Sequence, residues 1–152
     1  MNDRNHLDHV ALTHEVKIIE NGLLEIPMLA ILDPDGNIYP GATAPDIDKA
    51  LAEKIYHTMV YTRLLDERMV AAQRQGRISF YLASTGEEAA AVASAAALSE
   101  NDMIMSQYRE QGALAFRGYT TDQFMNQMFS NRLDPNKGRQ MPIHYGDKAL
   151  NF

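Results

Sequence analysis

Three short stretches carry residue types that could meet a ligand: Arg74-Gln75-Gly76-Arg77-Ile78-Ser79-Phe80-Tyr81, Ser106-Gln107-Tyr108-Arg109-Glu110, and Lys137 to Gly146, which includes Arg139, Gln140, His144 and Tyr145. Each sets an amide, guanidinium, imidazole or aromatic ring beside a glycine or an expected strand end, where backbone can approach a bound molecule closely. Arg outnumbers Lys from residue 63 onward, and a planar guanidinium suits paired contacts to carboxylate or phosphate. Most of these Arg residues are expected simply to pair with neighbouring Asp and Glu. The commoner catalytic signatures are absent: there is no Gly-x-Gly-x-x-Gly, no Walker-type loop, no His-Glu-x-x-His and no Gly-x-Ser-x-Gly. With no cysteine, thiolate metal sites, cysteine nucleophiles and disulfides are excluded. His6, His9 and His14 lack a carboxylate at fitting spacing and read as part of a polar arm, not as a metal site.

The elements that must position these stretches follow from periodicity. Ile47, Leu51, Ile55 and Met59 recur every four residues, and Leu65, Met69 and Ala72 continue the stripe. That predicts one long amphipathic helix from Asp46, after Pro45, to a stop near Gly76. Ser84-x-x-Glu87, or Thr85-x-x-Glu88, predicts a capping box that starts an alanine-rich helix running to Leu98. With almost no large side chains, that helix is expected deep in a packed structure. Met103-Ile104-Met105 reads as a short strand, Glu110 to Arg117 as a helix closed by Gly118, and Thr120-x-x-Gln123 as a second capping box opening a helix through Phe129. Upstream, the apolar run Ile26 to Leu32 followed by Asp33-Pro34-Asp35-Gly36 predicts a hairpin or strand–turn–strand. The chain thus divides into a polar arm (1–24), a hairpin and linker (25–45) and a main body (46–152).

The 152 residues carry 45% hydrophobic and 22% charged side chains, which excludes a disordered or collagenous chain. Residues 1–60 hold four basic and ten acidic groups and the remainder ten of each, so the net charge of −6 belongs to the N-terminal part. A net acidic chain is not expected to bind nucleic acid by neutralising phosphates. The longest apolar run, Ala89 to Leu98, is too short to span a bilayer, and the polar N-terminus shows no signal peptide. The expectation is a soluble, cytoplasmic protein without nucleic-acid or membrane partners.

Taken together, Gln73 to Tyr81, Gly86-Glu87-Glu88, Ser94 to Leu98, Gln107-Tyr108-Arg109-Glu110 and Gly138-Arg139-Gln140-Met141-Pro142-Ile143-His144-Tyr145-Gly146 closely resemble one family. It is that of the alpha subunits of the thiamine-diphosphate-dependent, decarboxylating component of branched-chain 2-oxo acid dehydrogenase. The resemblance runs in order from about Ile26 to Phe152. It implies an α/β fold, here the mainly helical N-terminal part of a thiamine-diphosphate-binding domain with a short hairpin and few strands. It also implies oxidative decarboxylation of branched-chain 2-oxo acids in amino-acid catabolism. The partners implied are a beta subunit in a heterotetramer and a lipoyl-bearing transferase that takes the acyl group.

The same resemblance assigns roles. Gln107, Tyr108 and Arg109 correspond to cofactor contacts, Arg109 at the diphosphate. Phe80 corresponds to a wall of the acyl pocket, and His144 to a catalytic and substrate-binding histidine near the 2-oxo acid carboxylate. The family's Gly-Asp-Gly, which with a downstream Asn holds the magnesium, does not occur here, and Gly146-Asp147-Lys148 is not that motif. Magnesium ligands are therefore expected beyond Phe152, no metal ligand is assigned within the chain, and the chain alone is expected to be inactive. Alternatives are a pyruvate or acetoin dehydrogenase alpha subunit, or a non-catalytic segment for subunit assembly.

Overall fold

A computed structural model describes residues 10–16, 18 and 27–152. The chain separates into two compact units, 1–47 and 48–152.

In the first unit, β1 (Leu12–Thr13) and β2 (Met28–Leu29) pair in parallel, Leu12 opposite Met28 and Thr13 opposite Leu29. The expected turn forms: Gly36 takes φ +87°, and Asp33 Oδ1 accepts from the amides of Asp35 and Asn37 at 2.9 and 2.8 Å. The expected hairpin is reduced to a single antiparallel bridge, Leu32 to Ile38. Its first residue, Ile26, and most of the polar arm, His6 and His9 included, lie outside the described residues.

The second unit is helical. α1 (Lys49–Arg74) has 26 residues, about 39 Å of helix at 1.5 Å per residue. It begins three residues later than the sequence suggests because the Asp48 carboxylate, not Asp46, caps it, accepting from the Leu51 amide at 2.7 Å. Leu65 and Met69 are buried as the stripe requires, whereas Ile47 is exposed and lies outside the helix. α2 (Glu88–Ala96) and α3 (Gln111–Phe116) pack on α1 and on each other. α4 (Thr121–Met128) opens with both bonds of the expected Thr120–Gln123 capping box. A 3-10 turn, Lys148–Leu150, follows near the end. Leu65, Met69, Tyr81, Leu114, Phe124 and Ile143 belong to one core cluster, and Val92, Ala95, Ala113 and Phe116 form another between α2 and α3.

Three expectations fail. The Ser84 or Thr85 capping box at α2 does not form, because Ser84 spends both its hydroxyl and its amide on Asp66, and the Glu88 carboxylate instead accepts from the Gly86 amide at 2.7 Å. α2 is not deep: Val92 and Ala95 are buried, but Ala89, Ala90, Ala93 and Ala97 are exposed, since only one face has helices to pack on. Residues 103–105 are not a strand. The Ile104 amide donates to the Asn151 carbonyl at 2.8 Å, yet no adjacent ladder pairs with the segment among the described residues.

Candidate functional site

The 106–110 segment turns sharply at Arg109, whose backbone sits in the left-handed region at φ +65°. A non-glycine residue there carries local strain, and such strain collects at sites where a side chain must be aimed. The Arg109 guanidinium is partly buried, and its Nη1 donates to the Ala83 carbonyl at 2.9 Å. No other hydrogen bond holds the fork among the described residues, so Nε and Nη2 remain for an anion.

Ala83 is itself held by a buried polar network that sequence patterning did not single out. Asp66, on the buried face of α1 and 1% exposed, accepts from Tyr81 Oη at 2.6 Å, Ser84 N at 2.6 Å, Ser84 Oγ at 2.9 Å and Gln111 Nε2 at 2.7 Å. Gln111 Nε2 also reaches the Leu82 carbonyl at 3.2 Å. One carboxylate thereby ties α1, the 81–84 loop and the start of α3 together. Burial, with the neighbouring Tyr145 and Asp66, pushes the Tyr81 phenol well above its usual range, so it stays a donor to Asp66. The available sequence signal was Thr62 and Asp66, polar residues one helical turn apart within the apolar stripe.

Gln107 and Arg109 line one cleft of about 520 Å³. Ala90, Ala91, Ser94 and Leu98 supply its α2 side, Ile104 to Gln107 the facing chain, and Glu87 and Glu110 its acidic groups. Burial, with repulsion from Glu87 adding, raises the Glu110 carboxyl above its usual range, and its Oε2 is buried without a hydrogen-bond partner. Phe80, Tyr108 and His144 do not line this cleft. Phe80 and Tyr108 are partly exposed, at 37% and 39%. His144 is half-buried, and its Nδ1 lies 3.1 Å from the Pro142 carbonyl, which can only accept. That contact places the proton on Nδ1 and leaves Nε2 free in the neutral ring. The preceding Ile143 has φ +66°, a strained backbone for a β-branched residue, and is locked by its burial in the core.

The donor chemistry of the cleft fits one side of a diphosphate: a half-free guanidinium, an amide and a hydroxyl. Its one cation faces two carboxylates, so most of the countercharge for a diphosphate must come from groups outside it. Among the described residues, no three His, Asp or Glu side chains gather where they could hold a metal ion, and no helix is long and apolar enough to cross a membrane.

Comparison with known proteins identifies the family. The family model described as "Dehydrogenase E1 component" matches residues 56–152. The chain is 49% identical over 144 residues to 2-oxoisovalerate dehydrogenase subunit alpha 1, mitochondrial, of Arabidopsis thaliana, covering 94% of this chain and 30% of that protein. It is 42% identical over 143 residues to the Caenorhabditis elegans alpha subunit, covering 93% and 33%, and 42% identical over 132 residues to the Homo sapiens one, covering 87% and 30%. The chain thus spans about 30% of the length of these relatives. A match across most of residues 48–152, including the strained Arg109 and the loop bearing His144, settles the membership: this chain belongs to the dehydrogenase E1 component family.

Proposed function

We propose that this chain serves, as part of an alpha/beta assembly, in the oxidative decarboxylation of branched-chain 2-oxo acids, with the acyl group passing to a lipoyl domain. What supports the reading is one juxtaposition: Gln107 and Arg109 share a cleft in a chain whose relatives are named 2-oxoisovalerate dehydrogenase alpha subunits. The complete protein would carry the α/β thiamine-diphosphate-binding fold, with magnesium ligands from outside this chain.

In this reading the free nitrogens of Arg109 hold diphosphate oxygens, while its Nη1 stays on Ala83 and fixes the direction of the fork. Gln107 would add an amide hydrogen bond in the same cleft, whereas Tyr108, a cofactor contact by family resemblance, does not line it. Thiamine diphosphate, when bound, supplies the nucleophilic carbon and the electron sink for loss of carbon dioxide. Phe80 gives the branched acyl group an apolar wall. His144, its Nδ1 donating to the Pro142 carbonyl, would donate to the substrate carboxylate from Nε2 only in the doubly protonated form, because the neutral ring presents a lone pair there.

Calorimetry on the alpha/beta assembly tests the cofactor half. Arg109→Ala is expected to weaken thiamine diphosphate binding by at least about 1.5–3 kcal/mol, and Arg109→Lys to restore only part, because a point charge cannot reproduce the fork. Unchanged affinity would remove Arg109 from the site. For the substrate half, Phe80→Ala should change the ratio of kcat/KM for 2-oxoisovalerate and pyruvate. Equal losses would make Phe80 a packing residue, and an unmodified assembly that prefers pyruvate would favour a pyruvate dehydrogenase alpha subunit.

A further inference from the structure

The peptide unit between Ala83 and Ser84 is gripped at both ends. Its N–H donates to Asp66 Oδ2 at 2.6 Å, and its carbonyl accepts from Arg109 Nη1 at 2.9 Å. The unit is planar and trans, so the carboxylate meets the positive end of its dipole and the guanidinium the negative end. Hydrogen bonds in series polarise one another, and neither end can turn without disturbing the other. The same carboxylate reaches Arg109 from a second direction. Asp66 Oδ1 accepts from Gln111 Nε2 at 2.7 Å, at the start of α3 and close behind Arg109 in the chain. Asp66 thus braces both the strained backbone from which Arg109 departs, at φ +65°, and the carbonyl on which its tip rests.

These braces lie in the interior: Asp66 is 1% exposed, Ser84 0% and Gln111 2%. Stability alone does not account for a charge in this place. Taking a carboxylate out of water is costly, and well-packed apolar residues of similar volume often stabilise a core as well or better. What four converging donors give instead is a single geometry. The route also leaves the cation unspent. Arg109 rests on a neutral carbonyl, and no carboxylate lies within ion-pair range of it among the described residues. Its charge therefore stays available to an anion in the cleft that it lines.

We infer that Asp66 is a positioning residue for Arg109: it sets the direction of the guanidinium fork through the 83–84 peptide and through Gln111, and by that route sets the affinity for a diphosphate. That the anion is a diphosphate rests on the reading under Proposed function.

The test is a mutant cycle on the alpha/beta assembly, read by calorimetry with thiamine diphosphate. Asp66→Ala should weaken binding about tenfold, the scale of a lost charged hydrogen bond, and by no more than Arg109→Ala does. Asp66→Asn, with one oxygen for donors on two sides, should weaken it about threefold. Ser84→Ala removes one hydrogen bond of the network but leaves the 83–84 peptide on Asp66. It should lower the thermal melt yet keep the affinity within about twofold, because the anchor of Arg109 is untouched. The deciding arm repeats Asp66→Ala in the Arg109→Ala background. There it should change affinity by less than about twofold, since residues acting through one contact are not additive. An equal fold-loss in both backgrounds would overturn the proposal and make Asp66 a packing residue, with the role of Arg109 intact. So would full affinity in Asp66→Ala and Asp66→Asn beside a weakened Arg109→Ala, or a Ser84→Ala loss as large as that of Asp66→Ala. If Asp66→Ala does not fold, Asp66→Asn decides by the same comparison in the two backgrounds. If Arg109→Ala itself binds the cofactor unchanged, the reading under Proposed function falls and the positioning role with it.

Discussion

Asp66 is the charged residue that the fold treats most like core. Its four donors come from the 81–84 loop and the start of α3; Tyr81 Oη, Ser84 N and Ser84 Oγ lose their acceptor if the carboxylate is removed, while Gln111 keeps its 3.2 Å contact to the Leu82 carbonyl. Each buried donor left unpaired costs about 1–3 kcal/mol. Asp66→Ala is therefore expected to destabilise the helical unit by at least about 3 kcal/mol, read by urea denaturation, and to loosen Arg109 through the 81–84 loop. A loss below about 1 kcal/mol would mean that the network contributes little. Tyr119 is the opposite case: its hydroxyl is buried with no partner, and burial, then Asp134 and Asp147, push its pKa up to about 12. An unfolded tyrosine ionises near pH 10. The unfolded chain therefore releases this proton first, and the stability is full below about pH 10 and declines as pH rises through about 12. Tyr119→Phe should leave stability at pH 7 unchanged or raise it by up to about 1 kcal/mol, and should lessen the alkaline decline. Tyr81 and Tyr145 are shifted in the same direction, so the decline is reduced but not abolished. Denaturation curves at pH 7 and pH 11 measure both effects.

At the scale of elements, the helical unit rests on a close approach of α3 to α1 and α2. Gly112 is buried in α3, and a Cβ there would lie 3.0 Å from Val92 Cγ2 and 3.3 Å from Thr62 Oγ1. Gly112→Ala should then cost the ~1–3 kcal/mol typical of overpacking, despite alanine's better helix propensity. Ala93 gives the matching contrast, because it faces outward on α2. Ala93→Leu should change the stability of this chain by less than about 0.5 kcal/mol, yet cost ~1–3 kcal/mol in an assembly where another surface covers α2. Thermal melts of the chain alone and of the assembly separate these outcomes. Equal effects in both would show that α2's outer face stays open.

For the whole molecule, the 48–152 unit closes a core yet leaves Tyr56, Leu64, Met103, Met105, Leu133 and Met141 exposed, and among the described residues of the 1–47 unit Leu12, Val16, Ile18, Leu32 and Ile38 are exposed as well. The purified chain is accordingly expected to bind a hydrophobic dye or to self-associate at micromolar concentration. With a single cation facing two carboxylates in its cleft, the chain by itself is also expected to give no 2-oxo acid decarboxylation with thiamine diphosphate and magnesium. Turnover by the chain alone, or a dye-negative monomer, would count against these expectations in turn.

What the sequence determined by itself is the set of features decided within about one helical turn. The α1 stripe, the Asp33 turn and the Thr120–Gln123 box were legible because their partners lie within four residues of one another. Ser84 read wrongly as a cap for the same reason in reverse. Its true partner, Asp66, is 18 residues away, and a buried carboxylate needs donors more than a helix terminus open to water needs a cap. Met103 to Met105 has the residues of a strand but no strand to pair with among the described residues, and half of α2 stays exposed because burial depends on what packs against it. The site shows the same division. Arg109 was named from its motif, but its strained backbone, its anchor on Ala83 and the cleft it shares with Gln107 exist only once α2, α3 and the 81–84 loop meet. Spacing along the chain sets local hydrogen bonds, whereas the aim of a side chain is set by long-range contacts that no short window of sequence contains.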